Sequence, residues 1–326
     1  MKEVIYRFGV ETDWVEELAH NHGGYVRGNF TIAPDDVFTG THYVLQINEN
    51  VTVMLIDATY HQDVLYKPQK SKTDFAGIYF NLTEGESVHI MDDVSKSVGR
   101  WNYNLAIVDA QFNTDYLIKS GSKCYSISLF VKKDILRKYL SKTGVLDEVV
   151  NRVFDEEQNT LLHYDHMSSS SWHLINEFRK NIPGSISFDL LLGALVYNLL
   201  ADCLENIMRR EIMIGKVLRS DLTMILTSQT NLIKNQDGIF PGIAKLAAEA
   251  NMSETKYKNL YKKITGYTPN AFFLNNKLEL ARDLLATGQY NIGELAEKLG
   301  FTSASHLSEQ FKSYFKMSPK EYAASL

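Results

Sequence analysis

Residues 242–273 read GIAKLAAEANMSETKYKNLYKKITGYTPNAFF, and residues 291–322 read NIGELAEKLGFTSASHLSEQFKSYFKMSPKEY. The two stretches share one pattern of apolar and turn-forming residues. Ile243 of the first copy recurs as isoleucine 49 residues later, and Tyr257 recurs as leucine 50 residues later. Because two copies are too few for a stable repeat array, the pattern predicts a tandem of one supersecondary unit.

Each copy has the pattern of a helix–turn–helix. The first helix ends at a residue that tolerates positive φ, Asn251 in the first copy and Gly300 in the second. Ser253 can then cap the second helix, as Thr302 or Ser303 can in the second copy. The apolar residues of the second helix recur four apart, so its remaining residues are predicted to face solvent.

A single helix is predicted to join the two copies over residues 270–288. The pair Thr268-Pro269 is a typical helix start, and Gly288 a typical end. At 1.5 Å per residue the helix is about 25 Å long, enough to hold two recognition helices about one DNA turn apart. Its predicted buried face comprises Leu274, Leu278, Ala281 and Leu285.

The two copies and the joining helix together resemble the AraC/XylS family of bacterial transcription regulators. The matching stretches are KLAAEANMSETKYKNLYKKITGYTP, KLELARDLL and GELAEKLGFTSASHLSEQFKSYFKMSP. The resemblance implies a double helix–turn–helix DNA-binding domain over 219–326 and a role in transcription, usually activation. It also implies an N-terminal sensor or dimerisation domain. The partners that follow are double-stranded DNA, RNA polymerase, a small-molecule effector and a second copy of the chain.

The resemblance assigns DNA contacts to the exposed face of each second helix. In the first copy it implies base-edge contacts from Thr255, Lys258 and Asn259, phosphate contacts from Lys256 and Lys262, and a further DNA contact from Ser253. In the second copy it implies base-side contacts from Ser305, Ser308 and Glu309, and backbone-side contacts from Ser303, His306 and Lys312. The alternative for each residue is a solvated helix face that touches no DNA.

The second copy departs from the family pattern at two positions. Glu309 stands where a basic residue is common, and its carboxylate repels phosphate although it can accept from a cytosine amine. Lys316 stands where glycine is usual, so we expect the last turn to end differently. We therefore expect the second copy mainly to position the protein on the DNA or to read DNA shape. We expect it to make fewer contacts to base edges.

The charge is unevenly distributed along the chain. Residues 219–326 contain 13 Lys and Arg against 10 Asp and Glu, a net charge of +3. Because the whole chain carries −5, the remaining residues carry −8. A mildly basic C-terminal part after an acidic N-terminal part is consistent with an anion-binding module at the C-terminus.

The first 131 residues have the pattern of a β-rich domain. The stretches 51–60, 75–82 and 125–131 are short runs rich in β-branched and aromatic residues. In the last of them, Ser126 and Ser128 alternate with apolar residues, the period of a half-buried strand. Many short strands favour a barrel or a sandwich. The resemblance to the AraC/XylS family, whose longer members commonly have an N-terminal barrel, implies an α+β chain with an antiparallel, cupin-like β barrel over residues 1–131.

Helical composition follows over 132–211, in segments near 132–142, 145–162 and 168–182 and in a long helix from about Phe188 to Arg210. The long helix carries one wide apolar stripe. It can pack on its own domain or dimerise, and both can hold on different faces. A linker is predicted near 211–219. The stripe comprises Leu191, Leu192, Leu195, Val196, Leu199, Cys203 and Ile207.

The sequence contains no Walker loop, GxGxxG, HExxH, GxSxG or CxxC motif, so we predict no enzyme activity, cofactor or metal. Isolated histidines such as those of His20-x-His22 and His163-x-x-His166 are more often structural than metal ligands. Trp101 and other aromatic residues either line an effector pocket or pack in the core. Two cysteines and an N-terminus without an apolar signal segment predict a cytoplasmic protein without a membrane span.

Two other functions compete with the regulator hypothesis. The N-terminal barrel could be a metal-dependent enzyme fused to a DNA-binding tail, which stoichiometric bound metal would favour. The C-terminal helices could instead bind proteins after losing DNA affinity, which a flat salt dependence would favour.

Overall fold

The computed structural model describes residues 1–69, 74–91, 94–100, 102–110, 114–142, 162–209 and 219–324. The chain divides into two compact units, Met1–Val217 and Leu218–Leu326. Sheets and helices form the first unit and helices form the second, so the α+β class predicted from the sequence is confirmed.

Within the described residues, most of the strands precede most of the helices along the chain. The strands are β1 (Lys2–Arg7), β2 (Tyr25–Arg27), β3 (Phe30–Ile32), β4 (Phe38–Asn48), β5 (Val51–Tyr60), β6 (Val64–Gln69), β7 (Phe75–Asn81), β8 (Ser87–Met91), β9 (Val94–Val98), β10 (Leu105–Asp109), β11 (Asp115–Ile118), β12 (Lys123–Lys132) and β13 (Leu162–Asp165). The helices are α1 (Val15–Asn21), α2 (Lys133–Ser141), α3 (Ser169–Phe178), α4 (Phe188–Arg209), α5 (Arg219–Lys234), α6 (Ile243–Glu249), α7 (Glu254–Thr265), α8 (Pro269–Ala286), α9 (Ile292–Lys298), α10 (Ala304–Phe315) and α11 (Pro319–Ala324).

Two sheets form the first unit. The larger has eight strands in the order β13-β10-β7-β12-β5-β4-β3-β2, and the smaller has five in the order β1-β6-β11-β8-β9. One apolar cluster lies between the sheets and contains Val4 and Tyr66 from the smaller sheet and Ile56 from the larger. A second cluster lies between the larger sheet and helices α2, α3 and α4. The larger sheet is therefore the middle of three layers.

The predicted antiparallel barrel is wrong in two respects. The described strands form two open sheets. The strand at each edge of a sheet pairs with only one neighbouring strand. Strand β1 also runs parallel to β6, with Val4 opposite Tyr66. The larger sheet does not need to close into a barrel to bury its faces, because the smaller sheet covers one face and helices cover the other.

Strands β5 and β12 are buried on both faces, which corrects the half-buried prediction for β12. Val53 of β5 faces the helices, whereas Met54 faces the smaller sheet. This explains the continuous apolar run of β5, since a strand covered on both faces needs no polar alternation. In β12, Ser126 and Ser128 are 5% and 9% exposed, and they line a cavity instead of meeting solvent.

Helix α4 packs most of its predicted stripe on the larger sheet, but Leu191 is 40% exposed and does not belong to the buried face. Leu192, Leu195, Val196 and Leu199 are buried in the cluster beneath it. On the opposite face, Leu190 and Tyr197 are 78% and 44% exposed. The predicted helix at 145–162 and the predicted linker near 211–219 fall almost entirely outside the described residues. Among the residues that are described, no helix is both long and apolar enough to cross a bilayer.

The second unit contains both predicted helix–turn–helix motifs, α6–α7 and α9–α10, joined by α8. The second motif has its own apolar cluster, in which Leu295 and Ala296 of α9 meet Leu307 and Phe311 of α10 on the buried face of α8. In the first motif, Tyr257 and Tyr261 of α7 are fully buried. Helix α5 packs on α7 and α8, and the Tyr257 hydroxyl lies 2.6 Å from that of Ser228 in α5.

The predicted turns and caps of the motifs are confirmed. Asn251 and Gly300 have φ of 52° and 65° at the two tight turns. The Ser253 hydroxyl accepts from the Lys256 N–H at 3.3 Å, and Ser303 rather than Thr302 caps α10. Capping boxes form at Asn291/Glu294 and Ser318/Glu321, and Thr268 caps α8 with Pro269 at its first position.

The expectation that α10 would end differently because of Lys316 is wrong. Lys316 takes the left-handed conformation with φ 63°, and its N–H donates to the Lys312 carbonyl. Gly266 ends α7 in the same way, with φ 77° and a bond to the Lys262 carbonyl. The second motif therefore ends its helix as the first does, with an L-residue in a conformation that favours glycine.

We expect Lys316→Gly to stabilise the second unit by about 1 kcal/mol, because glycine adopts the left-handed conformation without a Cβ clash. Chemical denaturation followed by the far-ultraviolet helical signal measures the change. Lys316→Ala is the matched control, since it removes the lysine but keeps the Cβ. Equal stabilisation by both variants would contradict the conformational explanation.

Candidate nucleic-acid interface

The exposed face of α7 carries the residues predicted to contact DNA from the first motif. Buried Tyr257 and Tyr261 fix this helix on the unit and turn the intervening positions outward. The two lysines in its last turn, Lys262 and Lys263, complement the helix dipole. The exposed predicted residues are Ser253, Thr255, Lys256, Lys258, Asn259 and Lys262.

Lys256 has a partner within the unit. Its Nζ lies 2.9 Å from an Asp221 carboxylate oxygen at the first turn of α5. The Asp221 side chain is 16% exposed, whereas that of Lys256 is 47% exposed. A phosphate approaching Lys256 would therefore compete with a carboxylate already in place.

The face of α10 offers fewer uncommitted polar groups. The Ser303 hydroxyl accepts from the His306 N–H at 3.0 Å, and the Ser308 hydroxyl donates to the Ala304 carbonyl at 2.8 Å. The His306 ring is half-buried, with Nδ1 2.9 Å from the Thr302 hydroxyl. The remaining predicted residues, Ser305, Glu309 and Lys312, are exposed.

Two charged residues of α8 contact the flanking motifs instead of solvent. Lys277 is 6% exposed, and its Nζ donates to the Gly238 carbonyl at 2.6 Å. The same Nζ lies 5.7 Å from the ring centroid of Phe301, at the turn of the second motif. Burial lowers the pKa of Lys277, and the Asp237 carboxylate opposes this shift. Lys277 thus links the segment before the first motif to the second.

Arg282 makes the corresponding contact with α10. Its Nη1 lies 2.7 Å from Glu279 Oε2, and its guanidinium lies 5.5 Å from the Phe315 ring centroid. Both charges of this pair are largely buried. Arg282 therefore fixes α8 against α10 and is not available to bind an anion.

Sequence reasoning missed Asp221, Lys277 and Arg282. Lys277 had a signal, because it lies three residues after Leu274 and four before Ala281, on the predicted apolar face of α8. A lysine in that stripe must be buried or must distort the packing. Asp221 had none, because its contact with Lys256 joins residues 35 positions apart.

The histidines considered as metal ligands make other contacts. His22 Nε2 lies 2.9 Å from the Tyr66 hydroxyl, and His42 Nε2 lies 3.0 Å from the Tyr60 hydroxyl. His163 lies 3.4 Å from Asp165. Within the ranges that the structure describes, no three His, Cys, Asp or Glu side chains are grouped closely enough to hold a metal ion.

Residues 246–325 match the family model described as a helix-turn-helix domain. The chain is 39% identical to the HTH-type transcriptional regulator AlkR of Acinetobacter baylyi over 80 residues, 24% of this chain and 26% of AlkR. It is 27% identical to the probable transcriptional regulator LumQ of Photobacterium leiognathi over 132 residues, 40% of this chain and 52% of LumQ. The matches thus span about a quarter and about half of these relatives.

One similar solved structure is the DNA-binding domain of AdpA in complex with a target DNA. It is 26% identical to this chain, and the match covers 31% of this chain and 90% of the solved chain, with a TM-score of 0.29. The sequence matches coincide with the two capped motifs and their joining helix. Residues 246–325 are therefore a helix-turn-helix domain of the type found in these transcription regulators, and the resemblance to the AraC/XylS family is confirmed for this domain.

Proposed function

We propose that the whole protein is a sequence-specific DNA-binding transcription regulator, in which α7 and α10 enter successive major grooves. The observation that supports this most directly is the pair of capped helices, each with an exposed polar face, joined by the 18-residue α8. At 1.5 Å per residue α8 is about 27 Å long, close to the repeat of the duplex. The buried contacts of Lys277 and Arg282 support a fixed spacing between the motifs.

The proposed contacts differ between the two helices. On α7, Thr255, Lys258 and Asn259 contact base edges, while Lys256 and Lys262 contact phosphates. On α10, Ser305, Ser308 and Glu309 lie on the base side, while Ser303, His306 and Lys312 lie on the backbone side. Because several of the α10 hydroxyls already bond within their own helix, α7 contributes most of the base discrimination.

We further propose that the protein acts as a dimer. Leu190, Ala194, Tyr197 and Ala201 are exposed on α4 at alternating spacings of four and three residues. This is the spacing with which two helices pack side by side. A second copy of α4 would cover the stripe and bring two DNA-binding units together on one operator.

In this proposal the N-terminal unit senses a small molecule and biases the DNA-binding units between two states, most simply toward activation through RNA polymerase. The regulator has no catalytic role and needs no metal or cofactor. It acts in the cytoplasm, where it meets double-stranded DNA.

Selection of duplexes from a random library by the full-length protein tests the proposal. We expect enrichment of two sequence elements about one helical turn apart per chain. With three lysine–phosphate contacts per chain, from Lys256, Lys262 and Lys312, the slope of log affinity against log salt should be about −3 per bound chain. Absence of enrichment together with a flat salt dependence would overturn the proposal and favour a protein-interaction module.

We expect Asp221→Asn to raise the affinity for duplex DNA about two- to five-fold, the range that corresponds to one exposed ion pair. The substitution leaves Lys256 free for phosphate. Titration of labelled duplex at two salt concentrations measures the effect. Glu249→Gln is the control, because it makes the same charge change beside another lysine, Lys245. An equal gain from both variants would show a general charge effect and contradict the specific competition.

A further inference from the structure

A cavity of about 80 Å³ lies between the two sheets of the N-terminal unit. Tyr6 of β1 lines it from the smaller sheet, and Met54, Ile56, Tyr79 and Ser128 line it from the larger sheet. The aromatic residues Tyr66 of β6 and Phe75 of β7 also contribute to the lining, whereas Trp101, which the sequence suggested as a pocket residue, falls outside the described residues. The cavity is thus enclosed mainly by apolar and aromatic side chains.

Among the described residues that line the cavity, few can carry a charge. The described residues that form it include no lysine or arginine. Its one carboxylate, Asp109, lies 2.8 Å from Lys133 Nζ, whose side chain is 2% exposed. Burial lowers the pKa of His89 to about 4, so its ring is neutral near pH 7. An anionic ligand would lose its hydration without gaining a counter-ion from the described lining, and a cationic ligand would meet only a carboxylate that already pairs with Lys133.

Two hydroxyls of the lining lack a protein partner. In the described part of the chain, no group hydrogen-bonds the hydroxyl of Tyr6 or of Tyr79. The Tyr6 side chain is 4% exposed, the Tyr79 side chain is half-buried, and both residues line the cavity. Burial raises the pKa of both tyrosines, which keeps both hydroxyls protonated and able to donate. Donors that line a cavity without a protein partner favour a ligand that accepts hydrogen bonds.

The volume limits the size of the ligand. One water needs about 10–15 Å³ of such space. The 80 Å³ available therefore corresponds to about five to eight non-hydrogen atoms. The aromatic rings that surround this space favour a flat ring over an aliphatic chain, because rings pack face to edge.

We propose that this cavity binds an uncharged single-ring aromatic molecule with a hydrogen-bond acceptor, held by the Tyr6 and Tyr79 hydroxyls. The inference rests on the proposed function, in which the N-terminal unit senses an effector. It adds the chemical class of that effector. The proposal gives Asp109 no part in binding, because its carboxylate already pairs with Lys133, which Asp74 also contacts.

The test uses an isosteric pair of probes, furan-2-carboxamide and furan-2-carboxylate, titrated into the full-length protein by calorimetry without DNA. We expect the neutral amide to bind with a Kd of about 0.1–1 mM, reasonable for eight non-hydrogen atoms. The carboxylate should bind at least about ten-fold more weakly, because the described residues of the lining offer it no cation. Equal or tighter binding of the carboxylate, or no saturable binding of the amide up to about 10 mM, would overturn the proposal.

Variants locate the site. Tyr79→Phe keeps the ring and removes one donor, so the amide should bind about five- to ten-fold more weakly. Tyr25→Phe is the matched control, since Tyr25 is 58% exposed and does not line the cavity. Tryptophan fluorescence checks that each variant is folded. Equal effects of the two substitutions would place binding elsewhere and overturn the assignment.

The titration also separates this inference from the proposed function. Selective DNA binding without binding of the amide would reject the cavity proposal alone. Binding of the amide by a protein that selects no DNA sequence would reject the regulator proposal alone.

Discussion

Replacing Lys258 and Asn259 together by alanine is expected to abolish the preference of the protein for its target sequence over scrambled DNA. Both side chains are exposed on α7, one turn beyond its capped N-terminus, and the buried Tyr257 and Tyr261 fix their direction. A lysine or asparagine that bonds a base edge contributes about 1–3 kcal/mol of discrimination. Loss of both should therefore lower the selectivity ratio by about 30-fold or more.

The chain offers a matched control for this double variant. Lys234 and Asn235 are also consecutive and exposed, but they lie at the end of α5 and its following turn. Competition binding with target and scrambled duplexes compares the two variants. We expect Lys234→Ala with Asn235→Ala to keep the selectivity and to lose at most a small share of total affinity. Unchanged selectivity in the α7 variant would count against the proposed base contacts.

Acidification is expected to destabilise the N-terminal unit by several kcal/mol. Burial lowers the pKa of His22 and of His89 from 6.5 to about 4, and at His22 nearby Lys2 adds to the shift. Burial also lowers the pKa of His42 well below its ordinary range. Below pH 6.5 the unfolded chain takes up protons that the folded unit cannot hold, so the free energy of unfolding falls with pH. For each of the first two histidines the loss at pH 5 is about 2 kcal/mol.

Denaturant unfolding at several pH values between 8 and 5 measures this effect on the full chain. All three tryptophans, Trp14, Trp101 and Trp172, lie in the N-terminal unit, so their fluorescence reports that unit. His22→Gln or His89→Gln should each remove about 2 kcal/mol of the pH dependence. His20→Gln should not, because His20 is exposed. A stability that stays constant down to pH 5 would contradict the burial of neutral histidines.

The helix–turn–helix domain could be predicted closely because its determinants are local. Residues such as Asn251 and Ser303 act within a few positions of themselves, through positive φ and N-terminal caps. Because the sequence contains the same pattern twice, each copy also supported the helices and turns predicted for the other. Lys316 was the exception, because a glycine position can hold another residue when the rest of the helix end fixes the turn.

The N-terminal unit was predicted only as a β-rich domain, because strand order depends on pairing between distant residues. Nothing local to residues 2–7 indicates that β1 pairs in parallel with β6, more than 50 residues later. The serines of β12 illustrate the same problem. Alternation of polar and apolar residues predicts one solvated face, but Ser126 and Ser128 face an internal cavity. Polarity in a sequence does not distinguish water from a lined cavity.

The candidate interface was predicted as a list of exposed positions and not as a set of interactions. The sequence identified the outward face of α7, but the ion pair of Lys256 with Asp221 appears only when α5 packs on α7. Similarly, the buried contacts of Lys277 and Arg282 depend on how α8 meets both motifs. These contacts determine which charges remain available for phosphate.

The central claim is that one chain reads two successive major grooves through α7 and α10 at a spacing fixed by α8. Binding to the selected target with five base pairs inserted between its two elements tests this most directly, because the insertion turns one element by about half a helical turn. We predict that the affinity falls at least about 30-fold, to that of a target with one element scrambled, since the helix cannot follow the displaced groove. Affinity unchanged by the insertion would contradict the claim and show that one motif alone reads the DNA.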